Sequence, residues 1–196
     1  MHDEGNTRPL ASKAPLAEVG CAVFDAPAPV GPIWLAWVPA GLAVLHFGPD
    51  APEADRARFW PEGEGLAPGD VPPALRARLT RYFDGEDEDP AGWPVRIGGT
   101  AFQGRAWKAL RRVPRGEVRT YAGLAKDVGS PRAMRAIGMA MNANPVAIAV
   151  PCHRIVGAGR TLGGFGGGPD RKRFLLELEG ARVDGDRVLM GQLDLL

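Results

Sequence analysis

Pro151-Cys152-His153-Arg154-Ile155-Val156 is the stretch around which this chain organises. An apolar run, Val146 to Val150, leads into it, and a loop with seven glycines between Gly157 and Gly168 follows it. Cys152 is one of only two cysteines in 196 residues. A lone cysteine is ordinarily a small buried hydrophobe, but a structural thiol needs neither of the neighbours, His153 and Arg154, that this one has. The thiolate is the nucleophilic form, and imidazole or cationic neighbours favour it. Pro151 stiffens the approach by fixing its own backbone angle. The glycines allow backbone N–H groups close to a ligand without Cβ clashes. Cys152 is expected to be a reactive nucleophile.

Upstream, the sequence reads as helices. Thr100 caps a helix to Val113 with Phe102, Ala106, Trp107 and Leu110 on one face, ended by Pro114-Arg115-Gly116. Thr120 caps a second helix, Tyr121 to Val128, which Gly129 stops; Ser130-Pro131 opens a third, running to Asn142. Two short helices around a tight glycine-containing turn form a helix-turn-helix pattern. The third helix carries Arg132 and Arg135 beside Ala133, Ala136, Gly138 and Ala140. Small side chains suit close approach to a narrow minor groove, and they suit tight helix packing equally well. Arg135, between Met134 and Ala136, is placed to be an inserted side chain. Downstream, Asp170 to Glu179 is an amphipathic helix with Phe174, Leu175 and Leu178 inward, closed by Gly180.

The N-terminal half is different. Ile33 to Trp37 and Leu42 to Phe47 flank the turn Pro39-Ala40-Gly41, which predicts a β-hairpin. Glu53 to Trp60 and Pro72 to Phe83 are predicted helices, the second with Leu75, Leu79 and Phe83 in phase. Asp84 to Gly92 is an acidic loop. The expected class is α+β, with a hairpin-bearing N-terminal domain flanked by helices and a mostly helical C-terminal domain. The expected divisions are a flexible segment 1–20, domains 21–96 and 97–182, and a tail 183–196.

Composition narrows the function. Apolar content of 45% and charged content of 24% are those of a globular protein. The first ten residues are polar and lack a secretory apolar stretch, and no apolar run reaches membrane-spanning length. Neither cysteine lies in a CxxC, which argues against a disulfide framework and a cysteine-built zinc site. A cytoplasmic setting is expected. The net charge of +1 conceals an asymmetry: Val95 to Gly180 holds 15 Lys+Arg against 5 Asp+Glu, leaving 9 and 18 elsewhere. A basic half suggests a polyanionic partner, although pairing of the two halves gives the same count.

With nucleophile, histidine and helix-turn-helix in view, the chain resembles the DNA alkylguanine alkyltransferases, in register from about Thr100 to Gly180. The motif Pro151 to Val156 carries the resemblance. Asn144-Pro145 before it and Glu179-Gly180 after it stand at the family's spacing, and Tyr121 and Arg135 fall on its helix-turn-helix positions. The resemblance implies irreversible, single-turnover transfer of an alkyl group from guanine O6, with thymine O4 as a second candidate, to Cys152. It implies a monomer acting from the minor groove of double-stranded DNA, without cofactor or metal. Arg135 is implied to fill the gap left by a flipped base, and Tyr121 to crowd the phosphate and donate to the base. Thr120, Arg132, Ala133, Ala136 and Gly138 are implied to face DNA. Leu162, Phe165 and Gly166 are implied to line the base pocket with Cys152. His153 is implied as base through a bridging water, Glu179 as the group that orients it, and Asn144 as a tie between the turn and the helix-turn-helix.

There are departures from the family pattern. Phe165 stands where some members have tyrosine, and Ala147 where some have a proline that narrows the pocket, which implies tolerance of bulkier alkyl groups. Cys21 and His46 do not reproduce the N-terminal zinc site of some members; Cys21 is read as structural, and His2 and His46 are given no role. Three rival readings fit less well. A lesion-recognition module without transfer lacks the nucleophile that Cys152 supplies. A cysteine hydrolase leaves the basic helix-turn-helix unused, and a transcriptional regulator lacks an effector domain.

Overall fold

The computed structural model describes residues 19–51, 66 and 68–189. The predicted helix at Glu53 to Trp60 lies outside them, as do the first eighteen residues of the N-terminal segment. Three antiparallel strands, β1 (Gly20–Asp25), β2 (Pro32–Val38) and β3 (Gly41–Phe47), form a sheet in the order β1-β2-β3. The hairpin is as predicted, and β1 is an addition that the sequence pattern did not reveal. Along β2 the pleat sends Ile33, Leu35 and Trp37 into the main core and Trp34 and Ala36 into a second cluster with Cys21, Val44 and Ala51. A strand buried on both faces reads as a continuous apolar run, which is why Ile33 to Trp37 shows no polar alternation.

The free edge of β3 is covered rather than exposed. Leu42 exchanges backbone hydrogen bonds with Pro94 and Arg96, and Leu45 with Pro145 and Ala147. Gly41 permits the first contact, since a Cβ there would lie 2.4 Å from the Pro94 carbonyl. The second contact pins the segment just before Cys152 to the N-terminal sheet.

Helix α1 (Pro73–Phe83) packs Leu75, Leu79, Tyr82 and Phe83 inward. Helix α2 (Ala101–Leu110) starts at a capping box in which Thr100 Oγ1 accepts from Gln103 N–H and Gln103 Oε1 accepts from Thr100 N–H. Strand β4 (Arg119–Thr120) leads directly into α3 (Tyr121–Asp127), and α4 (Met134–Asn142) follows. The predicted start of that last helix at Pro131 is corrected: Pro131 and Arg132 lie in a turn closed by Ala133 N–H on the Ser130 carbonyl, 2.8 Å, and the helix opens three residues later. Proline at the second position of a turn is as favourable as at a helix start, so Ser-Pro alone did not distinguish them.

Strand β5 (Ile155–Val156) pairs in parallel with β4, Arg119 opposite Ile155 and Thr120 opposite Val156. This two-residue ladder fixes the start of the helix-turn-helix against the residues just after Cys152. Helix α5 (Pro169–Leu178) ends in a Schellman motif: Ala181 N–H reaches the Leu176 carbonyl and Gly180, at φ +95°, donates to Glu177. Strands β6 (Arg182–Asp184) and β7 (Arg187–Leu189) then pair as a hairpin. The boundary expected after Arg182 therefore falls inside a strand, and Val188 is buried with Val156, Leu162 and Leu176. The main apolar cluster extends across both halves, from Phe24 to Leu175.

Candidate active site

Cys152 sits at the end of a constrained turn. Ile148 has φ +68°, a conformation that a β-branched residue rarely adopts. Pro151, at φ −78° and ψ 66°, forms an inverse γ-turn in which Cys152 N–H donates to the Val150 carbonyl at 2.7 Å. Asn144 spans the turn. Its Oδ1 accepts from Val146 N–H at 3.1 Å, and its Nδ2 donates to the Val150 carbonyl at 2.7 Å and to Cys152 Sγ at 3.1 Å. Burial pushes the Cys152 thiol up, while the Asn144 amide, the Lys172 charge and nearby backbone N–H groups act the other way.

Of the two residues after Cys152, Arg154 is not the cationic neighbour that its adjacency suggested. His153 turns into the interior, its Nε2 2.9 Å from Glu179 Oε1, and is fully buried. Arg154 is also fully buried; its Nε donates to Glu179 Oε2 at 2.7 Å and its Nη2 to Glu179 Oε1 at 3.0 Å and Asp89 Oδ1 at 2.8 Å. The expected positive neighbour of the thiol is thus a clamp on Glu179. Burial alone would raise the Glu179 carboxyl, but His153 and Arg154 hold it well below the usual carboxylate range. An ionised carboxylate only accepts, so His153 Nε2 must carry a proton. In the neutral ring, Nδ1 is then the acceptor, and it is buried without a protein partner.

The cation that does influence Cys152 is Lys172, on the inner face of α5. It is fully buried and donates to the carbonyls of Ile155, at 2.6 Å, and Leu162. Burial lowers it to about 8, against an opposing charge effect from Cys152.

Two cavities meet here. One, of about 300 Å³, is lined by Cys152, Asn144, Ala147, Met141 and Phe165, with Phe47 of β3 on its far side. The other is an open groove of about 500 Å³ between the helix-turn-helix and the glycine loop, lined by Tyr121, Met134, Arg135, Gly138 and Gly164. Asn142, Phe165 and Gly166 line both, so the groove leads toward the sulfur. Phe165 is held edge-on to Phe47 with ring centroids 5.8 Å apart. Burial, and after it the charge of Cys152, raises the Tyr121 hydroxyl pKa and keeps it a donor.

The structure therefore brings together Cys152, Asn144, Phe165 and Gly166 at the sulfur, with Tyr121, Arg135 and Gly138 along the groove. Thr120 caps α3, accepting from Gly123 N–H at 3.0 Å. Arg132 is exposed in the turn, and Ala133 and Ala136 are half-buried beside the groove. Leu162 stands apart: its N–H donates to Asp186, its carbonyl accepts from Lys172, and its side chain joins the small cluster behind β5. Residues not anticipated are Tyr82, Asp89, Met141, Asn142 and Lys172. Tyr82 lies three residues after Leu79 on the predicted apolar face, which was the available signal. Among the described residues, no group of three His, Cys, Asp or Glu side chains is disposed to hold a metal ion.

Comparison with known proteins accounts for this arrangement. Residues 101–181 match the family described as 6-O-methylguanine DNA methyltransferase, DNA binding domain. A methylated-DNA–protein-cysteine methyltransferase of Haemophilus influenzae is 40% identical over 155 residues, covering 78% of this chain and 83% of that protein. One from Methanosarcina acetivorans is 41% identical, covering 82% and 97%. The chain belongs to the methylated-DNA–protein-cysteine methyltransferases. A crystal structure of Mycobacterium tuberculosis OGT in complex with DNA superposes with a TM-score of 0.67 at 38% identity, covering 82% of this chain and 92% of that one. The α+β class expected from sequence is that of these methyltransferases. The resemblance noted at Pro151 to Val156 thus extends beyond the motif to most of the chain.

Proposed function

We infer that this chain repairs DNA by a single, stoichiometric transfer of the alkyl group from O6-alkylguanine to Cys152. The observation that carries this reading is the position of Cys152 Sγ: hydrogen-bonded to Asn144 Nδ2 at 3.1 Å, and lining a cavity continuous with the helix-turn-helix groove. Guanine O6 lies within the base stack, so the nucleotide must leave the duplex before a sulfur can reach its alkyl group. The exposed Arg135 on α4 takes the place of the flipped base, approaching from the minor groove, and Met134 and Gly138 flank it along the groove. The flipped base passes Tyr121 and enters between Phe165 and Met141.

The Cys152 S–H proton moves to His153 Nδ1 through a bridging water, and Glu179 stabilises the resulting imidazolium. The sulfur then attacks the alkyl carbon, the carbon–O6 bond breaks, and its electron pair remains on guanine. Tyr121, a protonated donor, stabilises that leaving group by hydrogen bonding or proton transfer. The thioether has no route back, so each molecule acts once. The protein acts as a monomer in the cytoplasm.

Cys152→Ala tests the reading. It should retain binding to a duplex with one methylated guanine while transferring nothing. Stoichiometric transfer by that variant would remove Cys152 from its role.

A further inference from the structure

We propose that Tyr82, from helix α1 of the N-terminal half, is a positioning residue of the transfer site: its hydroxyl holds the Glu179 oxygen that orients His153. This inference rests on the roles just proposed for Cys152, His153 and Glu179. Tyr82 is fully buried, and its hydroxyl donates to Glu179 Oε1 at 2.9 Å across 97 residues of sequence. The same oxygen faces His153 Nε2 at 2.9 Å and Arg154 Nη2 at 3.0 Å, while Oε2 takes Arg154 Nε at 2.7 Å. Four donors converge on the carboxylate, three on Oε1 and one on Oε2, as many as its roughly four lone-pair sites. A saturated carboxylate neither swings away from His153 nor accepts its proton, so Nδ1 alone is left to exchange a proton with Cys152. Without the tyrosine donor, the carboxylate loses one of the four donors that stabilise its charge and becomes a stronger base toward the imidazole.

The hydroxyl is itself tightly placed. The Tyr82 ring is edge-on to Phe83 at 5.1 Å and to Trp93 at 6.3 Å. Trp93 Nε1 donates to Glu88 Oε1 at 2.6 Å, and Arg81 donates to Glu88 Oε2. Burial and the Glu179 charge push the Tyr82 hydroxyl well above its ordinary range, so it remains a donor throughout. The titratable and charged groups that meet around Glu179 are Tyr82 from α1, His153 and Arg154 from the nucleophile loop, Asp89 behind Arg154, and Arg115, whose charge acts on Tyr82. A buried tyrosine finds some hydrogen-bond partner in most folds. This one is distinguished by sharing its acceptor atom with the proposed base.

The test is Tyr82→Phe, which keeps the ring. Single-turnover methyl transfer from a duplex with one O6-methylguanine is followed against pH, beside the rate at which iodoacetamide modifies the peptide bearing Cys152. The expected result is transfer slowed by about tenfold, the scale of a lost hydrogen bond to a charged group. The acidic limb of both profiles should move to higher pH, with DNA affinity unchanged. In a Glu179→Gln background, Tyr82→Phe should leave the iodoacetamide profile where it is. A purely structural tyrosine predicts lowered thermal stability with superimposable pH profiles, and that result overturns the proposal. If the unmodified protein transfers no methyl group, the substrate reading fails separately, and the iodoacetamide profiles still decide the role of Tyr82.

Discussion

The two arms of the site are built in opposite ways. Behind Cys152, His153, Arg154, Lys172 and Glu179 are buried, and each is bonded to a carboxylate, imidazole, guanidinium or carbonyl partner. In front of it, the groove presents Arg135 and Met134 in the open, and Met139 nearby on the same helix is 72% exposed. Buried charges survive only with partners, so the rear arm is fixed before any substrate arrives. The front arm is left solvated, because its charges and small residues have to meet something outside the chain. A substitution should therefore cost stability behind the sulfur and substrate handling in front of it.

The largest effect should follow Glu179→Gln. It leaves Arg154 buried beside a neutral amide, and breaking a buried pair costs about 3–5 kcal/mol. A denaturant-midpoint shift of that size supports the rear arm as a structural unit, and a shift near zero breaks the comparison. Because the native Glu179 carboxyl lies below its unfolded value, its stabilisation is present above the ordinary glutamate range. It drains away as pH falls below that range, so the variant's acid sensitivity should be the shallower.

Lys172 gives the same direction of pH dependence, in an alkaline window. Its native value of about 8 lies below the ordinary 10.5, so between the two the unfolded chain holds more protons. Stability of the natural chain relative to Lys172→Met should rise across that window, by about 3 kcal/mol for a shift of this size. A constant difference would show that the amine is not held as a buried, poorly solvated group.

Arg135→Ala should leave the denaturation midpoint unchanged and slow base flipping by about tenfold, since unstacking costs a few kcal/mol that an inserted side chain offsets. Stopped-flow fluorescence of a base analogue beside the lesion reads this, with the largest loss expected on fully paired duplex. Equal losses on single strands would leave Arg135 a mere electrostatic contact. The smallest effect belongs to Arg119→Ala. Its ion pair with Asp127, 2.6 Å but exposed, should contribute less than about 1 kcal/mol to the midpoint.

What the sequence made legible follows the same division. Local signals were sound: Thr100 as a cap, Thr120 ahead of α3, the hairpin around Pro39-Ala40, and Gly180 closing α5 all depend on residues a few positions apart. The motif at Cys152 pointed to a thiol that lines a cavity, but adjacency misled on Arg154, because a short 3₁₀ turn (Cys152–Arg154) sends consecutive side chains in different directions. Tyr82 and Asp89 escaped notice because their partners lie 97 and 65 residues away. No local periodicity marks such a pair. Within the loop read only as acidic, Glu88 is buried against Trp93 and Arg81.

The most direct test of the central claim is the intact mass of the protein after incubation with a duplex containing one O6-methylguanine, followed by peptide mapping. Suicidal transfer predicts a gain of one methyl group per molecule, saturating, on the peptide that bears Cys152. Tight binding of the lesion with no change in mass would contradict it and make the chain a damage-recognition protein.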